Sequence, residues 1–228
     1  MNIIWLVLGV IGNLWIWFVF KNNFLLGIVL LISSLLVIKN QKSNKFSLFL
    51  IILFLIIVFW QINLTKTKPL LKLTEIERAN QITRLNSYPP YLARFGHILE
   101  ERKEFLILYR LNENFFEIMN LNLYFFANHP IERGAIKEFE KFAYISLPFF
   151  LLGLPKHLRN KKTLILILII PLIIFTMIGS NISIGPISFF PFIASSIYFG
   201  LEQIKNKKLS YLLIIVWFLV LLQLFSYA

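Results

Sequence analysis

Cysteine and aspartate are both missing from this 228-residue sequence. Without cysteine there is no disulfide framework, no thiolate nucleophile and no Cys-ligated metal. All eleven acids are Glu, and charged residues make up only 15% of the chain. A soluble domain carries about a quarter. No charge sits in the middle of a long apolar run, which argues against a proton pump, a voltage sensor or an ion-coupled transporter. No GxSxG, HExxH, P-loop or GxGxxG pattern occurs, so membrane-protease and nucleotide-binding readings have no support. His97, His129 and His157 are the only histidines, and none pairs with another at i, i+4. No metal and no cofactor is indicated.

What is present is apolar sequence: 58% of residues, with mean hydropathy +0.74. Runs such as 164–174 and 47–60 have no polar face, and a helix apolar all round needs lipid or a large core. A chain this short cannot supply many such cores. The pattern predicts an all-α polytopic membrane protein with about seven spans, at 2–20, 24–38, 46–63, 142–155, 163–180, 185–201 and 209–227. Most approach the roughly 20 residues that cross about 30 Å of hydrocarbon. Span 163–180 holds twelve Leu, Ile or Phe residues. At about −0.3 to −0.6 kcal/mol each they favour insertion by roughly 4–7 kcal/mol. The short span 142–155 is expected to borrow length from an upstream helix carrying Ile136 and Phe139. The first span lacks a basic n-region and a small-residue cleavage site, so it reads as a retained helix.

The net charge of +12 invites a nucleic-acid partner, but its distribution favours topology. Connectors 39–45, 156–162 and 202–208 carry ten cations against one acid, Glu202, whereas 64–141 carries twelve cations and ten Glu. Short basic loops stay on the cytoplasmic side. The expected localisation is the cell (inner or plasma) membrane, multi-pass. The N-terminus is cytoplasmic; residues 64–141 and the C-terminus are extracytoplasmic. Three units follow: spans in 1–63, an extracytoplasmic amphipathic helical cap in 64–141, and four spans in 142–228.

Within the cap, Thr74 and Glu77 make a capping box for a helix over 75–86, and Ser87-Tyr88-Pro89-Pro90 ends it. Tyr91, Leu92, Phe95, Ile98 and Leu99 then form one helical stripe. Phe105–Tyr109 fits helix or strand. Phe115-Phe116 and Tyr124-Phe125-Phe126 are expected at headgroup level. Pro186 and Pro191 open either a re-entrant start or, more simply, an ordinary kinked helix.

The densest polar site is Asn128-His129-Pro130-Ile131-Glu132-Arg133. His129 could serve as a base with Glu132 orienting it, and Arg133 could hold a phosphate in two parallel hydrogen bonds. The bland reading is a Pro-stiffened turn whose charges pair with each other. A second cluster, Arg94, His97 and Glu101, shares a helical face, with a structural ion pair as its default. His157, in a basic connector, is expected to be solvated.

Residues 122–154 carry a further signal: Asn122-Leu123-Tyr124-Phe125-Phe126, His129–Arg133, Phe139-Glu140-Lys141-Phe142 and Leu147–Leu154 (LPFFLLGL). Phe190-Pro191-Phe192-Ile193-Ala194 and Tyr198–Leu201 continue it. From 122 onward this resembles the C-terminal membrane half of GT-C glycosyltransferases of the dolichyl-phosphate-mannose-protein mannosyltransferase-like group. The resemblance implies GT-C-like architecture and a polyprenyl-phosphate-linked sugar as donor. Such enzymes keep a catalytic acid in the first outward loop. Here that loop is Lys21-Asn22-Asn23, so no catalytic residue carries over. Three readings follow. The first is an accessory protein that binds a polyprenyl-phosphate or phospholipid headgroup, or a membrane protein partner, through its cap. The second is a sugar transferase using a cap Glu. The third is a purely structural subunit.

Overall fold

The structure, a computed structural model, describes residues 3–43, 48–64, 75–126, 139–159, 161–179 and 185–227. Among these residues it is helical, without strands. Three helices among the described residues are long and apolar enough to cross a membrane: α3 (Phe24–Ser43), α10 (Lys161–Ile178) and α12 (Lys207–Tyr227). A bent pair, α1 (Ile3–Ile11) and α2 (Leu14–Asn22), makes a fourth if counted as one span. The shorter apolar helices α4 (Leu48–Leu64) and α11 (Ile187–Glu202) occupy two more of the expected positions.

The first expected span is broken. α1 and α2 meet at 61°, and Asn13 sits in extended backbone at the break (φ −148°, ψ 150°). Its side chain accepts from the Ile16 N–H at 2.9 Å and donates to the Val10 carbonyl at 2.9 Å. Trp17 Nε1 donates to the Ile11 carbonyl and Trp217 Nε1, from α12, to the Gly12 carbonyl, each at 3.1 Å. A break amid apolar surroundings survives only when its backbone groups find such partners.

Prolines act by position. Pro171 removes an N–H and crowds the carbonyl four residues back, and α10 answers with a π-helical stretch over Ile165–Ile169. Pro191 stands in the first turn of the α-helical part of α11, where a missing N–H costs nothing. Pro186 precedes the 3₁₀ turn Ile187–Phe189 that leads into it. These two prolines therefore begin the helix and do not kink it. Gly185, at φ 78°, takes the left-handed turn ahead of Pro186. Gln61 of α4 donates to its carbonyl and accepts from the Ser188 N–H at 3.3 Å.

α11 is the hub: every residue from Phe190 to Leu201 is buried. It packs on α1, on α3 and, most extensively, on α9 (Leu147–Leu158). Small residues permit this. A methyl group on Gly153 would overlap the Ser196 carbonyl oxygen and lie 2.7 Å from its carbon; one on Gly200 would lie 2.8 Å from Phe149 Cα. The backbones thus touch, which is the role of small residues spaced four apart, here Ser196 and Gly200, in apolar bundles. Residues 139–143 are not helical. The span expected at 142–155 therefore gains no length from an upstream helix there; α9 instead runs on to Leu158. Ile136 lies outside the described residues.

Over residues 75–126 the expected cap is mostly helical: α5 (Glu75–Ser87), α6 (Ala93–Glu101), α7 (Lys103–Met119) and the short α8 (Asn122–Phe125). Thr74 lies outside the described residues, so the capping box does too. Phe105–Tyr109 is helix. Arg84 holds Glu100 in a two-pronged pair: Nη2 donates to Oε2 at 2.8 Å, and Nε lies 3.0 Å from each of Oε1 and Oε2. Gln81 also bonds the Glu100 carbonyl. The Glu100 carboxylate, hydrogen-bonded to the Arg84 guanidinium, raises the Arg84 pKa above its ordinary value. α7 lies along the second half of α10, tied by Asn114 Nδ2 to the Thr176 carbonyl at 3.0 Å.

The aromatic run at 124–126 is largely enclosed by protein. Tyr124 and Phe125 are buried, and Phe125 joins a cluster with Phe142, Phe190 and Trp15. Tyr124 donates to the Ile118 carbonyl and accepts at its own carbonyl from the Phe142 N–H. These bonds let the ring be buried without leaving a polar group unsatisfied. Phe126 and Phe116 do remain exposed.

Candidate functional site

His129, Glu132 and Arg133 lie outside the described residues. Of the second cluster, His97 Nδ1 meets Glu101 Oε2 at 3.1 Å across one turn of α6, with both side chains more than half exposed. Arg94 is exposed on the same helix. An open contact of this kind at the surface supplies little energy.

The structure brings together a different set of residues. His157 is 1% exposed, not solvated as its basic surroundings suggest. It lies at the end of α9, against Phe192 (ring centroids 5.1 Å apart) and Phe199 (5.5 Å) of α11. Both ring nitrogens are engaged: Nδ1 with Gln41 Nε2 at 3.0 Å and Nε2 with Ser195 Oγ at 3.1 Å. The basic residues around it in sequence point elsewhere. Burial of the imidazole is tolerated because each nitrogen has a partner.

Gln41 connects this buried chain to a groove of about 1020 Å³ between the ends of α3, α9 and α11. Leu151, Leu152, Pro155 and Phe199 supply apolar walls; Lys156, Arg159 and Lys205 supply cations; Glu202 and Gln203 complete it. Lys156 Nζ stands 5.6 Å over the Phe199 ring, a contact that suits a cation beside an aromatic face. Gln203 Nε2 donates to the Leu152 carbonyl at 2.8 Å, closing one side. Tyr198 OH lies 3.2 Å from Glu202 Oε1. Three cations against one carboxylate make this an anion-attracting concavity with an apolar lip, since Leu151 and Leu152 are about half exposed. Such a lining suits an anionic head joined to an apolar tail.

Gln41, His157 and Ser195 were not singled out from sequence as a site. Their separations, 116 residues from Gln41 to His157 and 38 from His157 to Ser195, leave no local motif. The one available signal was the Ser196/Gly200 spacing, which marks the face of α11 where another helix comes close.

No protein-family model, no curated protein and no solved structure matches the chain.

Proposed function

We propose that the protein is a seven-span membrane protein that binds an anionic lipid headgroup in the groove at Lys156, Arg159 and Lys205, in an accessory and not a catalytic capacity. The observation that carries this reading is the groove itself, with cations beside apolar walls. The exposed apolar faces support a lipid surround. Phe49, Ile52, Leu55 and Phe59 stand out on α4, and Leu212, Ile215, Phe218 and Leu219 on α12. In water such faces would be a large liability.

Six of the seven spans would be α1 with α2, α3, α4, α10, α11 and α12; α9 would be the short fourth, continued upstream by residues 142–146. The groove is lined by residues of all three basic connectors, with its cations from two of them, so the positive-inside rule puts it on the cytoplasmic face. That location favours a phospholipid of the anionic cytoplasmic leaflet over an outward-facing sugar donor, and it agrees with the missing acid in the first outward loop. The GT-C-like architecture suggested by residues 122–228 remains part of this proposal as ancestry without its chemistry.

The test is lipid retention. Protein purified in mild detergent is expected to carry phosphate-bearing lipid by native mass spectrometry. A Lys156→Gln/Arg159→Gln variant is expected to lose it, and Arg133→Ala to keep it. Equal retention by the groove variant and wild type would remove the groove from the account; loss in Arg133→Ala alone would move the site to the cap.

A further inference from the structure

We infer that α7 is embedded in the outer leaflet of the bilayer, with its outward face in contact with lipid chains. This rests on the orientation proposed above and is independent of the groove.

α7 is built inside out for a helix in water. At about 3.6 residues per turn, Phe105, Leu108, Tyr109, Asn112, Phe116 and Met119 share an arc of about 100°. All six are exposed, Leu108 at 60% and Phe116 at 62%. Five of them are large and apolar, and none carries a charge. The charges in the body of the helix lie off this arc and turn inward. Arg110 is 4% exposed, with Nη1 3.9 Å from Glu113 Oε2, and Glu113 and Glu117 are partly buried. The exposed charges of α7, Lys103 and Glu104, stand at its first turn. A helix in water does the opposite, hiding its apolar stripe and wetting its charges. In a membrane, ionisable residues face the protein and apolar ones face outward.

The neighbouring helix shows what covers the arc. α7 lies along the second half of α10. There Ile107, Leu111 and Phe115 face Leu172, Ile173 and Met177 across an apolar crevice of about 470 Å³. Ile173 and Met177 are themselves more than half exposed, on a helix long and apolar enough to cross a membrane. The apolar surface therefore continues from a span onto α7, and one solvent covers both. In the proposed orientation the second half of α10 is its outer half, which sets α7 in the outer leaflet. Arg84, 5.7 Å over the Tyr109 ring, marks the polar edge of the arc, where a tyrosine suits the headgroup boundary. A protein partner fits less well. Such interfaces carry a polar rim and directional hydrogen bonds, whereas Asn112 and the Tyr109 hydroxyl are the polar side-chain groups of this arc. Lipid chains need no such partners.

The experiment places single nitroxide labels on this cysteine-free chain in nanodiscs, at Leu108→Cys and Phe116→Cys. Ile173→Cys is the lipid reference and Arg94→Cys the water reference. Oxygen concentrates in hydrocarbon and a nickel chelate in water, so collisions with each report what covers a label. Labels at 108 and 116 are expected to favour oxygen, as at 173, and the label at 94 to favour the chelate. Labels at 108 and 116 that behave like the one at 94 overturn the inference. Shielding from both reagents would mean that a protein covers the face, which also overturns it. A label at 173 that favours the chelate takes the lipid surround down as well; oxygen preference at 173 alone removes only the α7 inference. A second measurement uses the unaltered chain, so a misfolded variant does not protect the proposal. Hydroxyl-radical oxidation in nanodiscs is expected to spare Met119 as it spares Met177. Oxidation of Met119 overturns the inference whatever happens at Met177.

Discussion

Replacing Gly153 by alanine should destabilise the bundle through a single methyl group. The added carbon overlaps the Ser196 carbonyl oxygen and lies 2.7 Å from Ser196 C and 3.0 Å from Gly200 N. Ordinary carbon contacts lie at about 3.5–4.0 Å, so α9 and α11 must part by roughly 1 Å. A gap of that size forfeits up to half of each dispersion contact at the crossing. Overpacking strain adds about 1–3 kcal/mol. Against this, alanine improves the helix by roughly 0.5–1 kcal/mol over glycine. The packing loss wins, and the net cost is about 1–3 kcal/mol. The same parting stretches the 3.1 Å contact between His157 and Ser195. Gly27→Ala is the internal control. Its methyl meets the Phe20 ring, 2.6 Å from Cε1, and a ring can rotate where a backbone carbonyl cannot. Thermal or denaturant unfolding in detergent should show a lower midpoint for Gly153→Ala than for both wild type and Gly27→Ala. A Gly153→Ala protein as stable as wild type would refute the claim of backbone contact between α9 and α11.

Other outcomes test the remaining parts. Single cysteines introduced into this cysteine-free chain report orientation: Tyr91→Cys should react with an impermeant maleimide in intact cells, and Lys207→Cys only after lysis, the reverse pattern inverting the topology. Glu140 has a carboxyl oxygen buried without a partner among the described residues, and burial raises its pKa above the ordinary 4.5. The folded state therefore holds this proton more tightly than the unfolded state. Its stabilising effect is complete below the ordinary value and is lost as pH climbs from there through the raised folded value. Glu140→Gln should flatten that part of a stability-against-pH curve, and an unchanged slope would exclude Glu140 as its source. Asn114→Ala removes the bond to the Thr176 carbonyl; faster amide exchange in α7 than in α10 is expected, with a cost of about 1 kcal/mol.

Element positions were legible where composition alone decides them. The uncharged, largely apolar runs at 24–38 and 163–180 became α3 and α10, and the Ser87–Pro90 break separated α5 from the next cap helix, as the fixed φ of proline requires. Less legible was anything decided by a distant partner. His157 is surrounded in sequence by Lys156, Arg159, Lys161 and Lys162, which suggests water. Its burial comes from Gln41 and the aromatic rings of α11, none of them local. Tyr124 and Phe125 have the composition of interfacial aromatics but pack inward around Phe142. The break at Asn13 hid inside a hydrophobic run because one asparagine barely lowers its mean hydropathy.

The Trp217 bond to the Gly12 carbonyl joins residues 205 positions apart. During synthesis that carbonyl emerges 205 residues ahead of its partner. Throughout that interval the bend between α1 and α2 must rely on water, lipid headgroups or a chaperone for that contact. Ribosome-bound chains halted before Trp217 should therefore hold the α1–α2 segment loosely, and only the arrival of α12 locks its shape.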